Sequence, residues 1–294
     1  MASHLPHGSG GNAVNGDQPP VQYVEARRAL LDALTALQPH IDAFVLIGAQ
    51  AVYVRTSGRL PGYQPFTTDA DLALDPSRLA TIPLLADAML DAGFEYSGEP
   101  GIWNRHMVRP GFSGDITVPV DLIVPEHVAA KAGRRGARLP GDHGHTAARK
   151  SVGVEGALVD HDPVTIASLE ANDARHVLVN VAGPAALLVA KVHKLGERLA
   201  TPQRLIAKDA GDVFRLFEAT SLGEMTSLMQ MLLNDDRSAG ATATAVEYVR
   251  QLFATPRAPG IQLAVQALDI AADQSTVTTT MTGYTQDLLS QLPS

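Results

Sequence analysis

Cysteine is absent from this 294-residue chain, which excludes disulfide bonds, thiolate zinc sites and cysteine nucleophiles. Long apolar runs are also missing, so the sequence predicts no membrane-spanning helix. Basic residues are outnumbered, with 23 Lys and Arg against 31 Asp and Glu, and the net charge of −8 argues against a general nucleic-acid coat protein. With 45% hydrophobic and 18% charged residues, the chain should form a well-cored protein, and we expect it in the cytoplasm.

The sequence pattern divides the chain into three parts. Residues 1–20 are rich in Gly, His, Asn and Pro and lack the basic and apolar regions of a signal peptide, so we expect a disordered leader. Short apolar strands and helical patterns share 21–180, whereas the helical pattern alone continues from 184 to about 292. The chain is therefore predicted to be α+β, with a core domain over 21–180 and an all-helical C-terminal domain over 181–294.

Several individual elements follow from apolar periodicity and from Gly and Pro positions. Predicted helices cover 21–37, 50–55 and 77–92. The segment 125–150 contains four glycines and a proline after Pro125 and is predicted to be a long loop. Predicted strands cover 43–47, the stretch that begins at the aspartates described next, 94–97, 103–108, 115–124, 157–159 and 164–167.

Two aspartates separated by one residue, Asp69 and Asp71, stand at the start of an apolar stretch. In a strand, residues i and i+2 point to the same side, so the two carboxylates would lie closer than like charges favour. A cation such as Mg²⁺ would relieve this repulsion, because it is commonly held by one or two carboxylates and by substrate phosphates. The same residues also suit a polar turn before a strand, and their spacing leaves both interpretations open.

A third carboxylate, Asp121, lies within the apolar stretch 120–124. A buried carboxylate is costly unless it is paired, hydrogen-bonded or bound to a metal. Asp121 could therefore pair with an arginine, or it could join Asp69 and Asp71 at a metal.

A glycine, Gly48, separates the predicted strand 43–47 from the helix that follows, and Ala49 comes next. A glycine at a helix N-terminus lets a phosphate approach backbone N–H groups, where the helix dipole favours anions. Many strand–helix turns contain glycine, so this signal gains weight only from the aspartates one element later. We expect Gly48, Ala49 and Thr68 at a nucleotide.

Basic residues form two groups that could contact phosphates. Lys191, Lys194 and Arg198 share one face of a predicted helix, and Lys208 follows. They either form a solvated face or bind a triphosphate, with Lys191 nearest the phosphates. The second group either holds a nucleic-acid backbone or solubilises the loop, and it comprises Lys131, Arg134, Arg135, Arg138, Arg149 and Lys150.

Other catalytic motifs find little support. His143 and His145 flank a glycine beside Asp142, but this Gly-rich segment offers no regular scaffold, so zinc is disfavoured. The sequence has no G-x-S-x-G, no G-x-x-x-x-G-K-[ST] and no G-x-G-x-x-G after a strand.

The order strand, Gly48, helix, Asp69-x-Asp71, later strand with Asp121 resembles the nucleotidyltransferase superfamily that has a DNA polymerase β-type core. Two further segments, 190–198 and 207–213, are similar to the lysine helix and the Lys-Asp-x-x-Asp signature of the AbiEii/MenT family, whose members are toxins of toxin–antitoxin pairs. The resemblance covers roughly residues 40 to 220. The family usually has Gly-Ser or Gly-Gly where this chain has Gly48-Ala49, so a serine hydroxyl is missing here.

The resemblance implies a mixed sheet flanked by helices and a reaction that adds nucleotides from a nucleoside triphosphate to the 3′ end of tRNA, which blocks translation. It implies Mg²⁺, or Mn²⁺, at Asp69, Asp71 and Asp121, with Asp121 as a metal ligand or as the base. Lys191 would neutralise phosphate charge, and either Asp209 or Asp212 would be the family's functional acid. The basic residues of 131–150 would hold the tRNA acceptor stem, and an antitoxin encoded nearby would be a partner.

Two other functions remain open. A small-molecule nucleotidyltransferase, such as one that modifies antibiotics, would share the core, and a cationic drug would suit a chain of net charge −8. The basic residues of 131–150 favour RNA instead. A non-enzymatic binding module on a decayed core is the third reading, which the presence of Asp69, Asp71, Asp121 and Lys191 together disfavours.

Overall fold

The computed structural model describes residues 19–57, 65–108, 116–129, 135–199, 201, 207–268 and 272–293. The strands within these ranges are β1 (Phe44–Ile47), β2 (Ala70–Leu74), β3 (Phe94–Tyr96), β4 (Ile102–Met107), β5 (Ile116–Pro125), β6 (Arg149–Ser151), β7 (His161–Ala167) and β8 (His176–Ala182). The helices are α1 (Val21–Ala36), α2 (Gly48–Thr56), α3 (Leu85–Asp91), α4 (Pro184–Gly196), α5 (Ala207–Ala219), α6 (Leu222–Asn234), α7 (Ala239–Phe253), α8 (Pro259–Leu268) and α9 (Gln274–Gln291).

The described strands form one mixed sheet in the order β3-β4-β5-β2-β1-β8-β7, with β6 paired to β5. Strand β2 runs parallel to β5, and β1 runs parallel to β8, whereas β1 and β2 are antiparallel. Helix α1 packs against β2, β5 and β8. A mixed sheet with flanking helices, followed by a helical region, confirms the predicted α+β class.

The centre of the sheet is apolar because its strands are covered on both faces. All four residues of β1 are buried, and so are Leu72 and Leu74 of β2. Helix α1 contributes Leu30 and Leu34, both fully buried, to the same core. Each such side chain contributes about 1.5–3 kcal/mol when it leaves water, so this core fixes the strands that carry the aspartates.

The helices after β8 are attached directly to the sheet. Asp160 accepts a hydrogen bond from the Ala186 backbone N–H at 2.9 Å and thereby caps the N-terminus of α4, where Pro184 is the first residue. Helix α4 packs against α5 and α7, and both α4 and α5 contact α2. Since α2 begins directly after β1, these contacts bring the basic face of α4 to the end of the central strands.

The structure differs from the predicted elements in four places. The helix expected over 77–92 is only α3, because Pro83 cannot continue a helical hydrogen-bond ladder, and 76–78 is a separate short turn. The strand expected over 157–159 is wrong, since Glu155–Leu158 forms a turn of 3₁₀-helix. Strand β8 was not predicted, and β6 lies within the segment predicted as loop.

None of the helices in the ranges described above is both long enough and apolar enough to cross a bilayer. The predicted leader 1–20 lies outside the described residues except for its last two positions.

Candidate active site

The register between β2 and β5 brings two of the predicted carboxylates together. Asp71 pairs with Asp121 across the two parallel strands, and Ile47 of β1 pairs with Asp71 on the other side. Paired residues on neighbouring parallel strands point to the same face of a sheet. The side chains of Asp71 and Asp121 therefore project side by side.

Asp69 precedes β2 and adds a third negative charge to this group. Burial and, to a smaller extent, the charges of Asp69 and Asp121 together raise the pKa of Asp71 to about 7. Lys194 and Arg149 oppose this effect only in part. The group therefore holds negative charge that the protein's own cations do not fully compensate.

Two residues that the sequence did not single out hold the segment of Asp69. The Thr67 hydroxyl donates to the Asp69 carboxylate at 2.5 Å, and the Gln50 amide donates to the Asp69 carbonyl at 3.0 Å. The Gln50 side-chain oxygen accepts from Arg27 of α1 at 2.9 Å. A threonine two residues before the first aspartate was a usable signal, whereas Gln50 carried none. Thr68 is exposed.

Gly48 is required at its position for two reasons. Its φ of 73° lies in the left-handed region, which favours glycine. A Cβ at Gly48 would lie 2.1 Å from the Oδ2 atom of Asp71, which is far inside van der Waals contact. The absence of a side chain thus lets Asp71 reach the N-terminus of α2, and Ala49 behind it is buried.

Asp121 is paired with an arginine, as one of the two sequence interpretations had it. Both Nε and Nη2 of Arg149 donate to Oδ2 of Asp121, at 3.1 and 2.7 Å. Burial still raises the pKa of Asp121, against the lowering effect of Arg149. Arg149 was expected on a tRNA surface, but it lies on β6, beside β5, with its side chain in the site.

Lys191 belongs to a buried ion cluster. Its Nζ donates to Asp209 at 2.9 Å and to Asp212 at 2.6 Å. Burial opposes the charge of Lys191, but Asp212 and Asp209 together hold its pKa above the usual range. Asp209 also lies 3.5 Å from the Lys194 ammonium and 3.9 Å from the Arg198 guanidinium. Lys191 and Lys194 of α4, together with Arg198 just beyond its end, thus converge on one carboxylate.

A cavity of about 260 Å³ separates Asp71 from α4. The charged residues that line the cavity are Asp71, Arg149, Lys191, Lys194, Glu197 and Arg198, and Gly48 lines it beside Asp71. The apolar part of the wall includes Ile47, Ile123, Val152, Val154 and Leu187. A cleft lined by both carboxylates and cations suits a ligand that carries both a divalent metal and phosphates.

Lys208 lies at the start of α5 and is half-buried. Burial lowers the pKa of Lys208, although the charges of Asp212 and Asp69 act in the opposite direction. Among the described residues it forms no ion pair within 4 Å. The nearby charges of Asp212 and Asp69 show that its ammonium faces the same group of acids.

Among the basic residues of 131–150 that the structure describes, Arg135 and Lys150 are neighbours, because the Lys150 N–H donates to the Arg135 carbonyl at 2.8 Å. Arg135 is exposed and pairs with Glu99 at 3.1 Å, Arg138 is exposed, and Lys150 lies half-buried on β6. Lys131 and Arg134 lie outside the described residues.

His143 has a structural role. Its Nδ1 accepts from the Leu85 N–H at 3.2 Å, and its Nε2 donates to the Ala80 carbonyl at 2.8 Å. These bonds occupy both ring nitrogens, so the packing of α3 explains this histidine without zinc.

The donor set fits Mg²⁺ through two carboxylates. Within the described ranges, no group of three or more His, Asp or Glu side chains is arranged to hold a metal ion. Asp121 is engaged by Arg149, whereas Asp69 and Asp71 offer hard oxygen donors and uncompensated charge. Mg²⁺ is commonly held by one or two carboxylates together with substrate phosphates, which matches this pair.

The sequence matches no model of a known protein family, and no curated protein is significantly similar to it.

Proposed function

We propose that the protein is a Mg²⁺-dependent nucleotidyltransferase with a polymerase β-type core, which adds nucleotides from a nucleoside triphosphate to the 3′ end of tRNA. The observation that carries this proposal is the parallel register that sets Asp71 opposite Asp121, with Asp71 lining the same cavity as Lys194 and Arg198. Transfer of a nucleotide needs carboxylates for metal and cations for the leaving phosphates, and Asp71 and these two cations meet at this cavity.

Each charged residue of the site would have its own role in the reaction. Asp69 and Asp71 would hold the metal, which supplies charge neutralisation at the phosphates when bound. The 3′-hydroxyl oxygen forms a bond to the α-phosphorus, and the bond from the α-phosphorus to the bridging oxygen breaks, so that pyrophosphate leaves. Asp121 lies beside Asp71 and would accept the hydroxyl proton. Lys194 and Arg198 would hold the leaving pyrophosphate.

Lys191 takes a different part from the one expected. Because its ammonium is buried between Asp209 and Asp212, it has little freedom to follow a substrate. We infer that Lys191 joins α4 to α5, and that Asp209 sets the positions of Lys194 and Arg198. The direct phosphate contacts then come from the two outer cations, of which Lys194 is 45% exposed.

The acceptor and the biological role rest on the resemblance. Addition to tRNA, inhibition of translation and neutralisation by an antitoxin are properties of the AbiEii/MenT family, and Arg135, Arg138 and Lys150 are the described basic residues that would contact an acceptor stem. A small-molecule nucleotidyltransferase is the second candidate. It is favoured by the net charge of −8 and by the ion pair that engages Arg135 with Glu99.

One assay separates these functions. The protein is incubated with total tRNA, Mg²⁺ and each labelled nucleoside triphosphate in turn, and then with aminoglycosides in place of tRNA. Label in tRNA supports the proposal, and label only in the drug supports the second candidate. Asp69→Ala should abolish transfer, whereas Asp87→Asn, a change at an exposed carboxylate of α3, should leave it unchanged. Absence of transfer to any acceptor would contradict both.

A further inference from the structure

We propose that Arg149 exchanges partners during the reaction: it holds Asp121 while no metal is bound, and it moves to a substrate phosphate when a divalent cation binds the carboxylates. This inference rests on the proposed metal site, and it adds a coupling between metal and nucleotide that the function alone does not require.

Arg149 holds Asp121 through a single carboxylate oxygen. Two nitrogens of the guanidinium converge on one oxygen, Oδ2, at 3.1 and 2.7 Å. That oxygen belongs to the carboxylate beside Asp71, so a positive group already sits at the edge of the acidic group. The guanidinium therefore occupies space that a metal ion near Asp121 would need.

The side chain of Arg149 has room to rotate, whereas its backbone is held in place by its neighbours. Arg149 pairs with Ile123 in the parallel ladder between β5 and β6. A Cβ on Gly101 would come within 2.4 Å of the Arg149 nitrogen, which shows how closely the backbone is packed there. The side chain, by contrast, is 29% exposed and lines the cavity. Motion is thus confined to the side-chain torsions.

A substrate phosphate is the alternative partner of Arg149. Arg149 lines the same cavity as Lys194 and Arg198, so an anion bound by those two cations would lie in the cavity that Arg149 also lines. The planar fork of a guanidinium matches the oxygens of a phosphate and binds them at two points. A phosphate can therefore replace the carboxylate of Asp121 without loss of hydrogen bonds.

A bound metal would displace Arg149 by electrostatic repulsion. A divalent cation at Asp69 and Asp71 repels the guanidinium that Asp121 holds beside them. By reciprocity, Arg149 must weaken binding of the metal alone by the same factor by which the metal weakens the Arg149–Asp121 pair. A released Arg149 then strengthens nucleotide binding, so metal and nucleotide bind cooperatively.

The test measures Mn²⁺ binding to the full-length protein by electron paramagnetic resonance, first without nucleotide. Arg149→Gln should bind Mn²⁺ about 5- to 10-fold more tightly than the wild type, since the competing cation is gone. Arg149→Lys keeps the charge but loses the fork, so its affinity should fall between the two. Arg250→Gln is the matched control, because it removes an exposed, ion-paired arginine from α7 and should leave Mn²⁺ affinity unchanged.

Two further measurements tie the effect to Asp121 and to the nucleotide. In an Asp121→Asn background, Arg149→Gln should no longer tighten Mn²⁺ binding, because the carboxylate that holds Arg149 near the metal is already gone. With a non-hydrolysable nucleoside triphosphate, the gain in Mn²⁺ affinity should be smaller for Arg149→Gln than for the wild type. Circular dichroism establishes that each variant is folded.

The outcomes are distinct. If the wild type binds Mn²⁺ and Arg149→Gln binds it no more tightly, the exchange is overturned while the metal site stands. If neither protein binds Mn²⁺ at millimolar concentration, the proposed metal site itself fails, and the exchange fails with it.

Discussion

Asp71 of β2 lies directly opposite Asp121 of β5 on neighbouring parallel strands, although α3, β3 and β4 separate the two residues along the chain. The pair concentrates negative charge where the protein supplies only partial compensation from Lys194 and Arg149. Such crowding lowers the stability of the protein alone, and it is the kind of local cost that accompanies a functional site.

A divalent metal should therefore stabilise the protein measurably. Binding to the folded state alone contributes about 2.7 kcal/mol when Mg²⁺ or Mn²⁺ is present at 100 times its dissociation constant. Asp71→Asn should abolish this increase in thermal unfolding temperature, because a metal ligand is lost. In EDTA at pH 8 the same variant should unfold at a higher temperature than the wild type, since burial and the neighbouring acids penalise the charged form.

Calorimetry with and without metal checks both parts of this prediction. Asp87→Asn, at an exposed position of α3, is the control and should follow the wild type in metal and in EDTA. An Asp71→Asn protein that gains as much stability from Mn²⁺ as the wild type would exclude Asp71 as a ligand.

Gly48→Ala should damage the site and the fold together. The new Cβ would meet the Asp71 carboxylate at 2.1 Å, and the residue would have to keep a φ of 73°. We expect a loss of about 1–3 kcal/mol of unfolding free energy and weaker Mn²⁺ binding. Urea unfolding and Mn²⁺ titration measure the two effects.

The matched control is Gly283→Ala in the middle of α9, where an added Cβ meets nothing within 4 Å. It should raise stability by about 0.5–1 kcal/mol through helix propensity and leave Mn²⁺ binding unchanged. If Gly48→Ala behaved like this control, the close approach of Asp71 to the α2 N-terminus would be refuted.

Substitution of Lys191 should mainly lower stability, whereas substitution of Lys194 should mainly weaken ligand binding, although both residues lie on the same helix. Lys191→Met leaves Asp209 and Asp212 buried without their shared cation and should cost about 3–5 kcal/mol. Lys194→Met removes an outer cation, so it should cost less than about 1 kcal/mol but raise the KM for the nucleoside triphosphate. Equal losses of stability in the two variants would contradict the buried cluster.

Asp209→Asn should reduce stability in a way that depends on pH. Burial works against the charge of Asp209, but Lys191 and Lys194 outweigh it and hold the pKa of Asp209 below its usual value. A carboxyl group with a lowered folded pKa contributes stability above its unfolded pKa and loses that contribution as the pH falls toward the folded pKa. The unfolding free energies of wild type and Asp209→Asn should differ by about 2–3 kcal/mol at pH 6–7.

Denaturant unfolding at several pH values measures this difference, which should shrink below about pH 4. Asp87→Asn, a change at an exposed carboxylate of α3, serves as the control for general acid effects. A difference that stays constant down to pH 2 would show that Asp209 is not held ionised by the cluster.

The sequence by itself determined the elements whose pattern is local. The periodicity of 21–37 predicted α1, the apolar run 43–47 predicted β1, and the run around Asp121 predicted β5, because one face or both faces of these elements are buried. The one-residue spacing of Asp69 and Asp71 indicated crowded carboxylates, and the pKa of Asp71 is raised first by burial and then by the charges of Asp69 and Asp121. Strand β8 was not predicted, although Val177, Val179 and Val181 alternate along it as in a strand.

The tertiary structure alone decided which residues became partners. The register of β2 against β5, the choice of Arg149 for Asp121, and the burial of Lys191 between Asp209 and Asp212 all join residues that are distant along the chain. A period of 2 or 3.6 tells which face of an element is buried, but it does not tell what covers that face. The sequence thus determined that Asp121 needed a partner, and only the packing of β6 beside β5 decided that the partner is an arginine.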